Sequence, residues 1–364
     1  MKKILTSLMV ILTLGISNAS YVGNISSKYF EVFQVNGKCE GSLTREELFD
    51  LVGRADVDVS NVCTGAIEDF SFLFNGLPDF NQDISKWDVS SGKNFTGMFI
   101  NLKKFNRNLN KWDVSNGENF YGMFSGATAF NGNISNWNVS KVTNFESLFD
   151  KASNFNQALN DWDMSNALTL RMMFNRAYAF NQPLDNWDVS SVTDFSAMFA
   201  EATIFNHPID SWDVSNGDLF YSMFVLARDF NQPLNSWNIS KASSLSNMFA
   251  SASKFNQPLN NWDVSSISNF YSMFYNAASF NQDIGNWNVS SGQSFNGMFA
   301  YASNFNKYIG GWNVSSGLYF NGMFSNALSF NQDLNSWNVT NATTWSSFNY
   351  NSGLSVENTP LKFR

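Results

Sequence analysis

Apolar residues recur along this chain with one long period. From Phe80 onward a Phe-Asn pair returns at Phe105, Phe130, Phe155, Phe180, Phe205, Phe230, Phe255, Phe280, Phe305 and Phe330, every 25 residues and without an insertion. Counting each such Phe as position 1, position 5 is Leu or Ile, position 8 Trp, and position 10 Val, Ile or Met. An aromatic or Leu follows at position 16, then Met-Phe at 19 and 20 and usually Ala at 23. A fixed period of this size marks a solenoid: one unit cannot bury its own apolar face, but stacked copies share a continuous core.

Within the unit two patterns alternate. The second half reads i, i+3, i+4, i+7, as in Phe195, Met198, Phe199 and Ala202, which predicts about two turns of helix. The first half fits no single period, but Trp-Asx-Val alternates and predicts a short extended segment with Trp and Val on one side. The expected fold is therefore an α/β repeat solenoid of about eleven coils, each an extended segment plus a short helix. Paired in parallel at ~4.8 Å per coil, the array would be roughly 50 Å long. Residues 20–79 read as an N-terminal cap with a first half-repeat (Phe70, Leu73 and Phe74 hold the places of positions 16, 19 and 20). The array proper spans 80–354, and 355–364 reads as a C-terminal capping strand.

The repeated polar and aromatic positions set a structural reading against a chemical one. Twelve Trp could form a sugar-stacking platform, yet eleven of them hold position 8 beside obligatory aliphatics, which is the grammar of a core ladder. Position 2 is Asn in every unit: Asn81, Asn106, Asn131, Asn156, Asn181, Asn206, Asn231, Asn256, Asn281, Asn306 and Asn331. An amide carries donors and an acceptor, so these residues are expected to form a ladder between coils or to cap one backbone turn. Position 9 is Asp at Asp88, Asp113, Asp163, Asp188, Asp213 and Asp263 and Asn elsewhere. A calcium ladder would want carboxylates throughout, whereas Asx-turn capping tolerates either residue, so the turn is preferred and no metal is expected.

The ends carry different signals. Residues 1–19 begin with Lys2 and Lys3, continue with an apolar run and finish in small residues, a secretory signal with cleavage after Ala19. The run is too short to span a membrane comfortably. Removing its two lysines takes the net charge from −8 to −10, which argues against nucleic acid or anionic lipid as partner. Cys39 and Cys63 are the only cysteines, and in an exported chain they are expected to pair. Between them Thr44 and Glu47 form a capping box before an amphipathic helix ending near Val52.

Catalytic chemistry is hard to find. His207, the single histidine, stands at position 3 where Gln is usual and reads as a tolerated substitution. There is no zinc-spaced cluster and no phosphate-cradling glycine loop; Gly97, Gly122, Gly297 and Gly322 share position 18 and are expected to let adjacent coils pack closely. No unit breaks the repeat to assemble paired carboxylates, so neither an enzyme nor a cofactor is expected. What varies is the solvent face: position 17, with Tyr319 at position 15 and Tyr275, Tyr301 and Tyr178 at positions 21 to 24; the position-17 row Tyr121, Tyr221 and Tyr271 holds the expected contact residues.

The stretch FNQPLNNWDVSSISNFYSMFYNAASFNQ (255–282) resembles the BspA-like leucine-rich-repeat surface proteins of bacteria, and more narrowly the 25-residue repeats of mycoplasma lipoproteins. The resemblance runs from about Cys39 to the C-terminus. It implies a leucine-rich-repeat-like solenoid outside the cell and, for some members, adhesion; it offers no catalytic residues. A lipidated Cys or wall anchor is not evident. The expected function is a monomeric, non-catalytic binding scaffold that is secreted or surface-exposed, with the periplasm as an alternative residence. Its partner would be a protein or glycan of a cell surface or matrix. The alternative is a structural envelope protein without a dedicated ligand, and a polysaccharide-acting enzyme stands third.

Overall fold

A computed structural model describes residues 32–34, 39 and 41–364. The expected signal sequence 1–19 and most of the lead-in 20–38 lie outside the described residues. Each 25-residue unit closes one coil; coil 1 begins at Phe80 and coil 11 at Phe330.

The second half of each unit is not the short helix that its apolar spacing predicts. It is a run of consecutive turns, and among the described residues α1 (Arg45–Val52), in the N-terminal cap, is the one α-helix. The reason is visible in the backbone. Positions 18 and 22 are left-handed, as at Ala197 (φ 54), Glu201 (φ 57), Ser222 (φ 57) and Leu226 (φ 58). A left-handed residue every fourth position cannot continue a right-handed helix.

The N–H groups then divide between two directions. Phe195, Ala197, Phe199 and Glu201 donate to the carbonyls of Leu219, Tyr221, Met223 and Val225 in the next coil, at 2.7–3.0 Å. Met198, Ala200 and Ala202 close turns onto Phe195, Ala197 and Phe199 of their own coil. Every N–H of the stretch is used, as a buried backbone requires. Positions 16, 19, 20 and 23 still face inward, so the chain keeps helical spacing without a helix. Gly97, Gly122, Gly297 and Gly322 correspondingly supply positive φ (56 to 62) rather than room between helices.

The extended segment is also placed differently. Parallel bridges join position 15 of successive coils from Asp69 to Thr344, with one gap between Ser244 and Asn269. Trp-Asx-Val is not a strand. Its position-9 side chain accepts from the N–H two residues on in every coil, from Asp88–Ser90 (3.1 Å) to Asn338–Thr340 (3.2 Å).

The core is a set of ladders. Each Trp of position 8 donates its indole N–H to the position-5 carbonyl one coil back, as Trp212 Nε1 does to Leu184 O (2.9 Å), and so satisfies its polar edge while buried. Indoles of successive coils stack, Trp187 on Trp212 at 6.2 Å and Trp212 on Trp237 at 6.4 Å. Phe199 and Phe224 repeat the pattern at 5.7 Å, and Phe199 also lies against Phe205 at 4.1 Å. Position 13, whose role the sequence pattern hides because Gly, Ala, Val and Ile alternate there, is buried in every coil.

Both ends are covered. Cys39 and Cys63 form a disulfide (Cα–Cα 5.8 Å), and Phe33 bridges Val62 antiparallel. The capping box of α1 is formed, with Thr44 Oγ1 accepting from Glu47 N–H and Glu47 Oε2 from Thr44 N–H. Leu48 and Leu51 are fully buried. At the C-terminus the expected strand is instead a 3-10 turn, Leu361–Phe363, whose Phe363 packs on Phe320, Trp345 and Phe348.

Candidate functional site

The invariant polar positions are occupied by the coil itself. The side-chain oxygen of each position-2 Asn accepts from the backbone N–H of its counterpart one coil on, from Asn81–Asn106 (3.1 Å) through Asn306–Asn331 (3.1 Å). Asn331 passes the bond to Ser355 of the tail. Where position 3 is Gln, its amide adds a second donor in six coils, as Gln232 Nε2 does to Asn206 Oδ1 (3.0 Å) and Gln332 Nε2 to Asn306 Oδ1 (2.8 Å). His207 takes this place, its Nε2 lying 3.1 Å from Asn181 O. The position-9 carboxylates are engaged in the same way. Bonds from Ser115, Ser165, Ser215 and Ser265, hydroxyl first and backbone N–H second, hold Asp113, Asp163, Asp213 and Asp263 below the usual carboxylate range. Among the described residues no three His, Cys, Asp or Glu side chains gather in a metal-holding group.

Among the exposed surfaces is the hydrogen-bonded face, where positions 15, 17, 18, 21 and 22 vary. Tyr121 and Tyr271 of the position-17 row are 40% and 47% exposed; Tyr221 is half-buried, and Ser196 in the same row is fully buried. The row is thus not one uniform strip. Its charged members, in coils 3 and 4, are paired with each other, Arg171 with Glu146 (3.8 Å), and at position 22 Arg176 of coil 4 pairs with Glu201 of coil 5 (2.9 Å). Asp150 is buried there, accepting from Asn175 Nδ2 (2.7 Å) and pairing with Lys151 Nζ (3.0 Å). The later part carries more tyrosine. Tyr275, Tyr301, Tyr319 and Tyr350 are exposed beside Tyr271, and Tyr275 meets Tyr301 edge-on at 5.4 Å. The sequence pattern points to Tyr271 at position 17 and to Tyr319, Tyr275 and Tyr301 at positions 15, 21 and 22; Tyr350, at position 21 of the last coil, is not among them.

A separate cleft of about 550 Å³ lies where the N-terminal cap meets coil 1. Val52, Arg54, Leu77, Asp79 and Phe80 are among its walls. It brings together no set of acid, base and nucleophile.

Three tandem matches to the family described as "Mycoplasma protein of unknown function, DUF285" cover residues 44–161, 143–262 and 243–359. No curated protein matches the chain. Among solved structures, the complex of TLR13 with ssRNA13 is similar over 80% of this chain and 41% of that one, with 10% sequence identity and a TM-score of 0.26. A likeness of that size carries no inference about ligand.

Proposed function

The chain belongs to the DUF285 family of mycoplasma-type repeat proteins, and from that premise we propose that it is a non-catalytic binding scaffold. It is exported and displayed to a macromolecule outside the cell, in the manner of the BspA-like surface proteins that its repeats resemble. One observation carries this reading: the position-2 Asn ladder is consumed by inter-coil bonds and the core positions hold their residue types, while the exposed positions vary from coil to coil. A scaffold that holds its core constant and varies its exposed side chains is built for recognition.

The rival reading, coils stacked end to end into an envelope layer, is disfavoured by the ends. Stacking would pair the outward N–H groups of the last coil with the carbonyls of the first half-repeat. There Arg45 of α1 already donates to Ser71 O (2.7 Å) and pairs with Asp69 (3.4 Å). Phe363 covers the other end of the core.

The test is binding of the purified chain to an array of extracellular matrix proteins and glycans, beside a Tyr121→Ser, Tyr221→Ser, Tyr271→Ser variant. Saturable binding that the variant weakens by about tenfold or more is the expected result. A folded monomer that binds nothing on the array would remove the scaffold reading. Binding unaffected by the three changes would keep the scaffold and move its site off the position-17 row.

A further inference from the structure

The outward face changes character along the array. In coils 3 to 5 the inter-coil stretch itself carries charge, as Glu146, Lys151 and Arg176; in coils 1, 2 and 6 charge stands only at its edge, as Lys93, Glu118 and Asp218; coil 7 has none there. From Val264 to Val356 the only charged residues are Asp283, Lys307 and Asp333. All three stand at positions 3 and 4 of their coils, away from the inter-coil hydrogen-bonded stretch, which in coils 8 to 11 holds no charge at all.

In place of charge that stretch presents aromatic rings among amides and hydroxyls. Tyr271, Tyr275, Tyr301, Tyr319 and Tyr350 are each between 39% and 67% exposed. Asn321 offers a polar edge between them: its amide donates to Thr344 Oγ1 (2.7 Å), and its oxygen accepts from Ser346 N–H (2.9 Å). Successive coils repeat the surface at ~4.8 Å, so these side chains form a regularly ruled strip of four coils.

Resting on the scaffold reading above, we infer that this strip binds a neutral glycan chain in extended form. The apolar C–H faces of sugar rings pack on exposed tyrosine rings, and their hydroxyls exchange hydrogen bonds with amides and hydroxyls; neither contact needs an ionised partner. An anionic glycan or a nucleic acid would call for the Arg and Lys that this strip lacks. Protein partners draw more on arginine anchors, although tyrosine-rich, uncharged surfaces also serve paratopes, so a protein is the competing outcome. The inference also divides the position-17 row: Tyr271 belongs to the strip, whereas Tyr121, between Glu118 and Glu146 in sequence and far along the array, does not.

The experiment titrates the purified chain with soluble neutral polysaccharides (a β-linked glucan, a mannan and a galactan), a sulfated glycosaminoglycan, and a matrix protein. It is repeated with Tyr301→Ser/Tyr319→Ser/Tyr350→Ser and with Tyr121→Ser. The expected result is saturable, salt-insensitive binding to a neutral polysaccharide, weakened at least about tenfold by the triple change and unaffected by Tyr121→Ser. Circular dichroism and an unchanged denaturation midpoint establish that the triple variant is folded. Binding only to the glycosaminoglycan, or only to the protein, would overturn the inference while leaving the scaffold reading intact. So would neutral-glycan binding that the triple change does not alter. Binding to none of the probes removes both.

Discussion

Replacing Trp212 with alanine is expected to lower stability by about 3–5 kcal/mol, the range for deleting a buried indole. The side chain is 3% exposed and stacks on Trp187 and Trp237 in the flanking coils. It also packs against Phe195 and Phe199 of the preceding coil. Its N–H donates to Leu184 O, so truncation removes a cross-coil hydrogen bond as well as the ring. Trp212→Phe keeps much of the packing and should cost less, with the hydrogen bond itself contributing about 0.5–1.5 kcal/mol. Each coil touches only its neighbours, so the loss is local at first: hydrogen exchange should rise in coils 5 to 7 before it rises in coils 1 or 11. Chemical denaturation read with hydrogen-exchange mass spectrometry measures both. A cost below about 1 kcal/mol would mean that the indole ladder does not hold neighbouring coils together.

The second large effect belongs to the N-terminal cap. Cys39→Ser with Cys63→Ser opens a loop with a sequence separation of 24, which in the chain-entropy picture corresponds to about 2–4 kcal/mol. The cap depends on this closure because its own core is small: Leu48, Leu51 and Val52 from α1, with Val57, Val59 and Val62 from the following turns. Coils 2 to 11 are held by their own stacks and bonds, so the cap should detach while the array stays folded. Limited proteolysis should then cut within Arg45–Arg54 in the variant and not in the parent, with the array left as a resistant core. Loss of cap and array in one transition would show instead that the cap nucleates the whole solenoid.

Much of this architecture is written in the sequence, and particular residues show where the writing stops. The period, the coil count and the inward direction of Phe, Leu, Trp, Val and Met-Phe follow from spacing alone, since only stacked copies bury them all. The preference for an Asx turn at position 9 also follows, because a free mixture of Asp and Asn suits a hydrogen bond from a backbone N–H better than a metal. The helix prediction fails for a specific reason. Turns closed by i to i+3 bonds with a left-handed residue at positions 18 and 22 present positions 16, 19, 20 and 23 on one side, as a helix does. Apolar spacing cannot distinguish the two. The residues at those positions could: Gly97, Gly122, Gly126 and Asn247 are poor helix formers, but Met172, Arg176 and Leu226 stand at equivalent places and adopt positive φ because the inter-coil bonds require it. The outward face was legible as variable residues with tyrosines at positions 15, 17 and 21 to 24. That its charge lies in coils 3 to 5 and its neutral, tyrosine-bearing end in coils 8 to 11 depends on which positions share the hydrogen-bonded stretch, and that is a property of the coil.

The claim that the repeat is a coil of left-handed turns rather than an extended segment and a helix has a measurement with opposite signs for the two alternatives. Gly122 (φ 58) and Gly322 (φ 61) are the clean sites, because a methyl group added at either would meet only a serine Cβ at 3.8 Å. Space is therefore not at issue, and only backbone conformation decides. In a helix interior, glycine to alanine would stabilise by about 0.8–1.0 kcal/mol at each site. At positive φ the same change costs about 1–2 kcal/mol. The urea midpoints of the parent and of the Gly122→Ala/Gly322→Ala variant, compared at unchanged slope, give the answer. The coil predicts a lower midpoint in the variant; a raised midpoint would contradict it.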